Sequence, residues 1–353
     1  MPTPLTNIPI FRLRSEISAI GEPAFRATQI VKWLYQKRVD SFDAMTNLSA
    51  KTRAALASAF ILRKLAVRAR LESKLRDAVK FAFDLPDGSG AVESVLLIDG
   101  ERRTACLSSQ LGCGLGCVFC ETGRSGFIRN LTQEEIVGQL TGINDYLAGS
   151  SDKLVTNIVF MGMGEALSNF ENFRSSLNVI MAEDAFGIGG RKITVSTAGV
   201  VPSIDRLIQE GLNLGLAISL NAYSNEKRSA IMPINNAYPI EMLIDSARRY
   251  YGATGRRVTF EYVMVDPSAC STEAEDALVT LLGGLTCKIN LIPLNPLRGA
   301  TVSAPALGRQ VQDFCDRLER RGLQATVRTS RGQDILGACG QLRAHIEGRC
   351  LAE

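Results

Sequence analysis

Between residues 10 and 70 apolar positions recur at helical spacing, with Phe25, Ile30, Val31, Leu34 and Tyr35 interleaved with Gln29, Lys32 and Lys37. Asn47-Leu48-Ser49 offers a cap to the segment that runs into Lys51-Thr52-Arg53. The pattern then changes. Val79–Phe83, the turn Pro86-Asp87-Gly88-Ser89-Gly90 and Val92–Ile98 read as strand, turn and strand. From Leu154 onward, strands near 155–161, 192–197, 214–220, 257–264, 288–292 and 324–329 alternate with helical stretches. Representative helices are 132–147, opened by a Thr132-x-x-Glu135 capping box, and 240–251.

Six strands alternating with helices predict a parallel sheet in an α/β fold. A complete eight-fold barrel takes about 250 residues, so the roughly 240 available here predict a partial, six-unit β/α barrel. The expected organisation is a basic helical accessory domain over 1–75, a β-strand linker or extension over 76–105, a barrel core over 106–342 and a tail over 343–353.

Composition narrows the class. The chain has 353 residues, 46% hydrophobic and 22% charged, enough to bury a large core. It shows no signal segment and no apolar run near the roughly 20 residues of a membrane helix, so a cytoplasmic location and no membrane partner are expected. Nine cysteines, three in one loop and the rest scattered, do not read as a secreted disulfide framework. The net charge of +4 is uneven: residues 1–80 carry 15 Lys and Arg against 6 Asp and Glu, leaving the remainder acidic. A basic module on a near-neutral body suits a polyanion such as RNA, although solvated helix faces would give the same count.

The densest chemistry lies in Gly112-Cys113-Gly114-Leu115-Gly116-Cys117-Val118-Phe119-Cys120, a C-x3-C-x2-C loop followed by Glu121-Thr122-Gly123. Four-iron clusters are normally held by four thiolates, so three ligands leave one iron open for chemistry. A structural zinc knuckle is the alternative, but it wants a fourth nearby Cys or His, and the sole histidine, His345, is far away in sequence. Barrel ligands bind at the carboxyl ends of strands. There the sequence offers Met161-Gly162-Met163-Gly164-Glu165, Ser196-Thr197-Ala198-Gly199, Ser219-Leu220-Asn221 and Leu291 to Asn295-Pro296, short polar groups suited to a cofactor. Cys106 stands seven residues before the loop, and Cys339 near the C-terminus.

The cysteine spacing resembles the signature of radical S-adenosylmethionine (SAM) enzymes, whose open iron chelates SAM and whose reduced cluster splits it to a 5'-deoxyadenosyl radical. The wider chain resembles the RlmN/Cfr family of radical SAM RNA methyltransferases. The likeness runs from Gly21-Glu22-Pro23-Ala24-Phe25-Arg26 through Phe42 to Leu48, Val92-Glu93-Ser94-Val95, the cluster loop, Met161 to Glu165, and Cys287 to Pro293, and ends at Ala338-Cys339-Gly340-Gln341-Leu342.

The resemblance implies a [4Fe-4S] cluster on Cys113, Cys117 and Cys120, and SAM contacts from Gly164, Glu165, Ser196, Ser219, Leu220, Asn221 and Asn295. It implies that one SAM methylates Cys339 and that a second yields a radical that takes hydrogen from the S-methyl group. The methylene radical then adds to adenine. Cys106 resolves the adduct through a transient disulfide with Cys339, and Glu93 removes the C2 proton. The implied partners are ribosomal RNA, transfer RNA or both, with an electron donor such as a flavodoxin or ferredoxin. C2 is expected over C8 because it is the commoner activity of the family. Cys270, Cys287, Cys315 and Cys350 read as small buried hydrophobes. Three positions depart from the family: Ala166 where it usually has Pro, Asn221 where it usually has His, and Leu294 where better-known members are aromatic. The alternatives are a radical SAM enzyme acting on a peptide or metabolite, which needs neither the Cys106 and Cys339 pair nor a basic domain, and a non-catalytic RNA-binding paralogue, which has no need of the six intact residues.

Overall fold

The computed structural model describes residues 3–150, 153–295 and 308–343. Pro296, His345, Cys350 and all of the expected tail after Arg343 lie outside the described residues. Three helices open the chain: α1 (Ile10–Ala19), α2 (Arg26–Val31), which runs on into a wider π turn over Lys32–Gln36, and α3 (Ala50–Ala59). Ser49 caps α3, its hydroxyl accepting from the Thr52 N–H at 3.1 Å. Leu13, Ile17, Ile30, Leu34 and Leu56 build a small core of their own, which Val137 and Val179 of the larger body complete.

The helical expectation runs too far. Residues 67–72 form a strand, β1 (Val67–Glu72), antiparallel to β2 (Ala78–Asp84). Val67, Ala69 and Leu71 alternate with Arg68, Arg70 and Glu72, the period of a strand, but β1 is the exposed edge of the sheet and buries neither face. The expected boundary at 75 therefore falls in the turn between two paired strands. β3 (Ala91–Asp99) and β4 (Arg102–Cys106) continue the antiparallel meander.

From β4 the sheet turns parallel. β5 (Asn157–Phe160), β6 (Ile193–Thr197), β7 (Gly215–Ser219), β8 (Val258–Met264), β9 (Cys287–Pro293) and β10 (Ala325–Val327) follow in chain order. All ten strands form one sheet whose spatial order is the chain order. A parallel sheet wound always in one direction has the winding of a barrel wall, whereas doubly wound sheets reverse at a switch point. The expected six parallel strands are present, and β4 adds a seventh by pairing parallel with β5. It is short and opens on two arginines, so it lacked the apolar run that marked the others.

The body's principal helices are α4 (Gln133–Ser150), α5 (Phe170–Met181), α6 (Val201–Gln209), α7 (Asn225–Ile231), α8 (Ile240–Thr254), α9 (Thr272–Leu282) and α10 (Gly308–Arg320). The capping box of α4 is reciprocal: the Thr132 N–H donates to Glu135 Oε2 at 2.9 Å, and the Glu135 N–H to Thr132 Oγ1 at 3.3 Å. α4 also fastens the first 65 residues to the body through Arg38–Asp145 (2.8 Å), Arg63–Glu134 (2.8 Å) and Lys64–Asp145 (2.9 Å). Part of the N-terminal basic excess is thus engaged in ion pairs, while Arg14, Lys37 and Lys51 stay exposed. Among the described residues no helix is long and apolar enough to cross a membrane.

Candidate active site

The carboxyl ends of the parallel strands carry most of the residues that the sequence singles out. After β4 the chain passes along the end of β5, with the Leu107 N–H donating to Val159 O and the Ser109 N–H to Met163 O, both at 2.9 Å. It then enters a hairpin of Gln110–Gly112 with Phe127–Asn130, and the cysteine loop lies between these two strands. Gly164 has a φ of +91°, and a Cβ there would lie 2.4 Å from Gln110 Cβ. Its backbone fits closely against the segment leading into the loop, so glycine is required for that approach.

One cavity of about 170 Å³ is lined by Cys113, Cys117, Cys120, Gly164, Glu165, Ser196, Ser219, Asn221, Asn295 and Cys339. The structure therefore brings together ten of the thirteen expected residues. Leu220 is fully buried and does not line the cavity; its carbonyl accepts from Arg228 Nε at 3.0 Å. Asn221 Oδ1 accepts from the Val263 N–H at 2.9 Å, and the residue has a φ of +58°, a conformation that asparagine tolerates. Glu165 accepts from the N–H groups of Leu167 (3.2 Å) and Ala198 (2.8 Å). Burial outweighs these bonds and pushes its carboxyl up to about 7.

Cys339 reaches this cavity because the C-terminal segment is tied to the cysteine loop. The Glu121 N–H donates to Gly340 O at 2.8 Å, and the Thr122 hydroxyl to Leu342 O at 2.5 Å. Gly340 sits at φ +82°, where a Cβ would meet Phe119 O at 3.1 Å. Asn295 holds the same segment from the end of β9, its amide donating to Cys339 O at 3.0 Å and accepting from Gln333 Nε2 at 2.9 Å.

A second cavity of about 280 Å³ holds Cys106 and also Cys339. Met161, Ile292, Arg328, Cys339 and Leu342 line both cavities and form the wall between them. Both thiols are free. Burial pushes Cys106 up to about 12; the neighbouring Cys339 adds to the rise and Arg328 opposes it.

Glu93 lies elsewhere. It lines a cleft with Lys80, Leu336, Gln341 and Arg343, pairs with Lys80 Nζ at 3.2 Å, and accepts from the Arg343 N–H at 3.1 Å. Val95, one same-face step along β3, faces the thiol cavity, so Glu93 is its neighbour along the strand, covered by the C-terminal segment.

Sequence reasoning passed over Arg228, Lys80, Glu261 and Arg328. Arg228 is fully buried and donates to Leu220 O, Asn235 Oδ1, Ala198 O and Ser219 O, which clamps the ends of β6 and β7 behind the first cavity. Burial lowers its guanidinium to about 10, with Cys117 opposing. Lys80 did leave a signal: one cation in the apolar run of β2 beside one anion in that of β3.

Comparison with known proteins decides the family. Residues 3–62 match the family described as Ribosomal RNA large subunit methyltransferase N-terminal domain, and residues 107–267 match the Radical SAM superfamily. A protein of Marinobacter nauticus named dual-specificity RNA methyltransferase RlmN is 41% identical over 98% of this chain and 94% of its own length. The chain belongs to the RlmN family. A Thermotoga neapolitana RlmN relative, named a probable dual-specificity RNA methyltransferase, is 40% identical over 96% of the chain and 97% of its own length. The crystal structure of a radical SAM methyltransferase from Sphaerobacter thermophilus matches with a TM-score of 0.91 at 42% identity, covering 97% of this chain and 99% of that one. The fold is accordingly the radical SAM fold with an RlmN N-terminal domain.

Radical SAM membership brings a [4Fe-4S] cluster and SAM with it, and the residues fit both. Burial pushes the Cys113 thiol up to about 11 and the Cys117 thiol up to about 12, and the neighbouring thiols add to each rise. Anionic sulfurs crowded in this way are what cationic iron stabilises. Among the described residues no three His, Cys, Asp or Glu side chains converge on a site for a single metal ion. Zinc needs that convergence, whereas a cluster spreads its cysteines over separate irons.

Proposed function

We propose that this RlmN-family chain methylates C2 of an adenosine in ribosomal RNA, transfer RNA or both, by way of a methyl group carried on Cys339. The observation that carries the reading is the position of Cys339 on the wall between two cavities, with the three-cysteine loop on one side and Cys106 on the other. A methyl carrier needs access to a methyl source and to a resolving thiol, and this residue borders both.

In this reading Cys113, Cys117 and Cys120 hold the cluster, while Gly164, Glu165, Ser196, Ser219, Leu220, Asn221 and Asn295 surround SAM. Bound there, the two groups supply the methyl carbon and the radical that activates it. Adenine C2 is electron-poor and cannot attack a methyl group as a nucleophile, so the carbon is delivered as a methylene radical on the sulfur of Cys339. The resulting adduct gives up one electron and its C2 proton, the proton to Glu93 once Arg343 no longer covers that carboxylate. The Cys106 thiolate then attacks Sγ of Cys339. An S–S bond forms, the S–CH2 bond breaks, and its electron pair leaves on the carbon conjugated with the purine, where a proton completes the methyl group. An external dithiol returns the disulfide to two thiols, and a flavodoxin or ferredoxin is the proposed source of single electrons.

The test is mass spectrometry of digested ribosomal and transfer RNA from cells with and without the gene. Loss of 2-methyladenosine, restored by the wild-type gene and not by Cys339→Ala, is expected, and the fraction that loses it names the substrate. Unchanged 2-methyladenosine in both fractions would overturn the reading, and a change in 8-methyladenosine alone would move the target atom.

A further inference from the structure

The wall between the two cavities contains a charge that the reaction described above leaves unused. Glu261 on β8, Asn290 on β9 and Thr326 on β10 are direct neighbours across three strands. Thr326 Oγ1 donates to Asn290 Oδ1 at 2.9 Å, and Asn290 Nδ2 donates to Glu261 Oε1 at 3.0 Å. Glu261 Oε2 is buried and, among the described residues, has no hydrogen-bond partner. The cation that faces it is Arg328, whose Nη1 is 3.7 Å away. That separation orients a guanidinium without using its donors.

We propose that Arg328, held in place by Glu261, is a positioning residue for the thiol step, its guanidinium stabilising the Cys106 thiolate as that sulfur attacks Cys339. The proposal rests on the thiol-pair reading above. Three features support it. Arg328 borders the cavity of Cys106 and that of the cysteine loop, with Cys339 beside it in both. Its backbone N–H donates to Leu291 O at 2.9 Å, fixing the start of the side chain against β9. Burial raises the Cys106 thiol, and Arg328 is the cation that pulls it back. The other charged groups of that cavity are accounted for: Asp99 and Arg331 pair with each other at 3.0 Å, and Arg102 lies at the opposite end of β4 from Cys106, roughly 13 Å along the strand.

The test uses cluster-loaded protein with Arg328→Gln, Arg328→Met and Arg328→Lys. The rate of Cys106 alkylation by iodoacetamide is followed against pH by peptide mass spectrometry, alongside the pH profile of adenosine methylation. An opposite charge within a few ångströms shifts a pKa by one or more units, so the Gln and Met proteins are expected to move both midpoints upward by about one unit or more. The Lys protein, which keeps the charge, is expected to stay near wild type. Two neutral replacements of different shape guard against a folding defect in either. Wild-type midpoints in the Gln and Met proteins would overturn the role of Arg328 alone. A Cys106→Ala protein that still turns over would overturn the thiol-pair reading and this proposal with it.

Discussion

The side-chain amide of Asn295 donates to the main-chain carbonyl of Cys339 at 3.0 Å. Its carbonyl oxygen accepts from Gln333 at 2.9 Å, so both ends of one amide serve the C-terminal segment. Asn295 therefore sets where the proposed methyl carrier stands, whatever else it touches. Replacing it by Ala removes two hydrogen bonds, a local cost of about 1–2 kcal/mol. Asn295→Ala is expected to bind iron as the wild type does and to show at least tenfold less S-methylation of Cys339. Peptide mass spectrometry beside iron analysis checks this; equal methylation would mean that the segment is held without Asn295.

Gly340 makes the matching contact from the other side. At φ +82° a side chain costs about 1–2 kcal/mol in backbone strain, and a Cβ would also press on Phe119 O at 3.1 Å. Gly340→Ala is expected to lower the unfolding midpoint modestly and to uncouple the Cys339 segment from the cysteine loop, with iron retained and adenosine methylation lost. Full methylation activity in a folded Gly340→Ala protein would show that the 2.8 Å bond from Glu121 to Gly340 O does not set the geometry.

What was legible in the sequence was local. Ser49 and the Thr132 and Glu135 pair each cap within three residues, and the six expected strands lie within two residues of their observed ends. β1 and β4 were missed because one is exposed on both faces and the other is short and begins with charge. The site residues were legible through motifs, but their grouping was not. Glu93 meets Lys80 and Arg343 from strands and segments far apart in the chain, and the four acceptors of Arg228 come from residues 198, 219, 220 and 235. No local pattern encodes such a meeting, because it depends on how the strands wind.

Arg228 shows how much such a residue contributes. Its removal leaves the acceptors at the ends of β6 and β7 without their donors in a site that excludes water, and buried unsatisfied groups cost about 1–3 kcal/mol each. Arg228→Ala is expected to destabilise the protein by at least about 3 kcal/mol in urea unfolding. Arg228→Lys, with three donors on one nitrogen, is expected to recover part of that loss. A destabilisation below about 1 kcal/mol in the Ala variant would mean that the strand ends hold together without the clamp.

The Glu165 carboxyl gives the fold a pH dependence with a definite sign. Its native pKa of about 7 lies above its ordinary value of 4.5, because burial disfavours the charge more than the Leu167 and Ala198 N–H groups favour it. The native state thus holds this proton more tightly than the unfolded chain does. The contribution is fully present below pH 4.5 and is lost as pH rises through 7, by on the order of 3 kcal/mol. Burial raises Glu261 in the same direction, so the wild-type profile alone would not separate the two. Glu165→Gln cannot titrate and keeps Glu261 as it is. In cofactor-free protein, urea midpoints from pH 5 to 8 are expected to fall more steeply for wild type than for Glu165→Gln. Parallel profiles would show that Glu165 titrates in its ordinary range and that its cavity is wetter than its burial indicates.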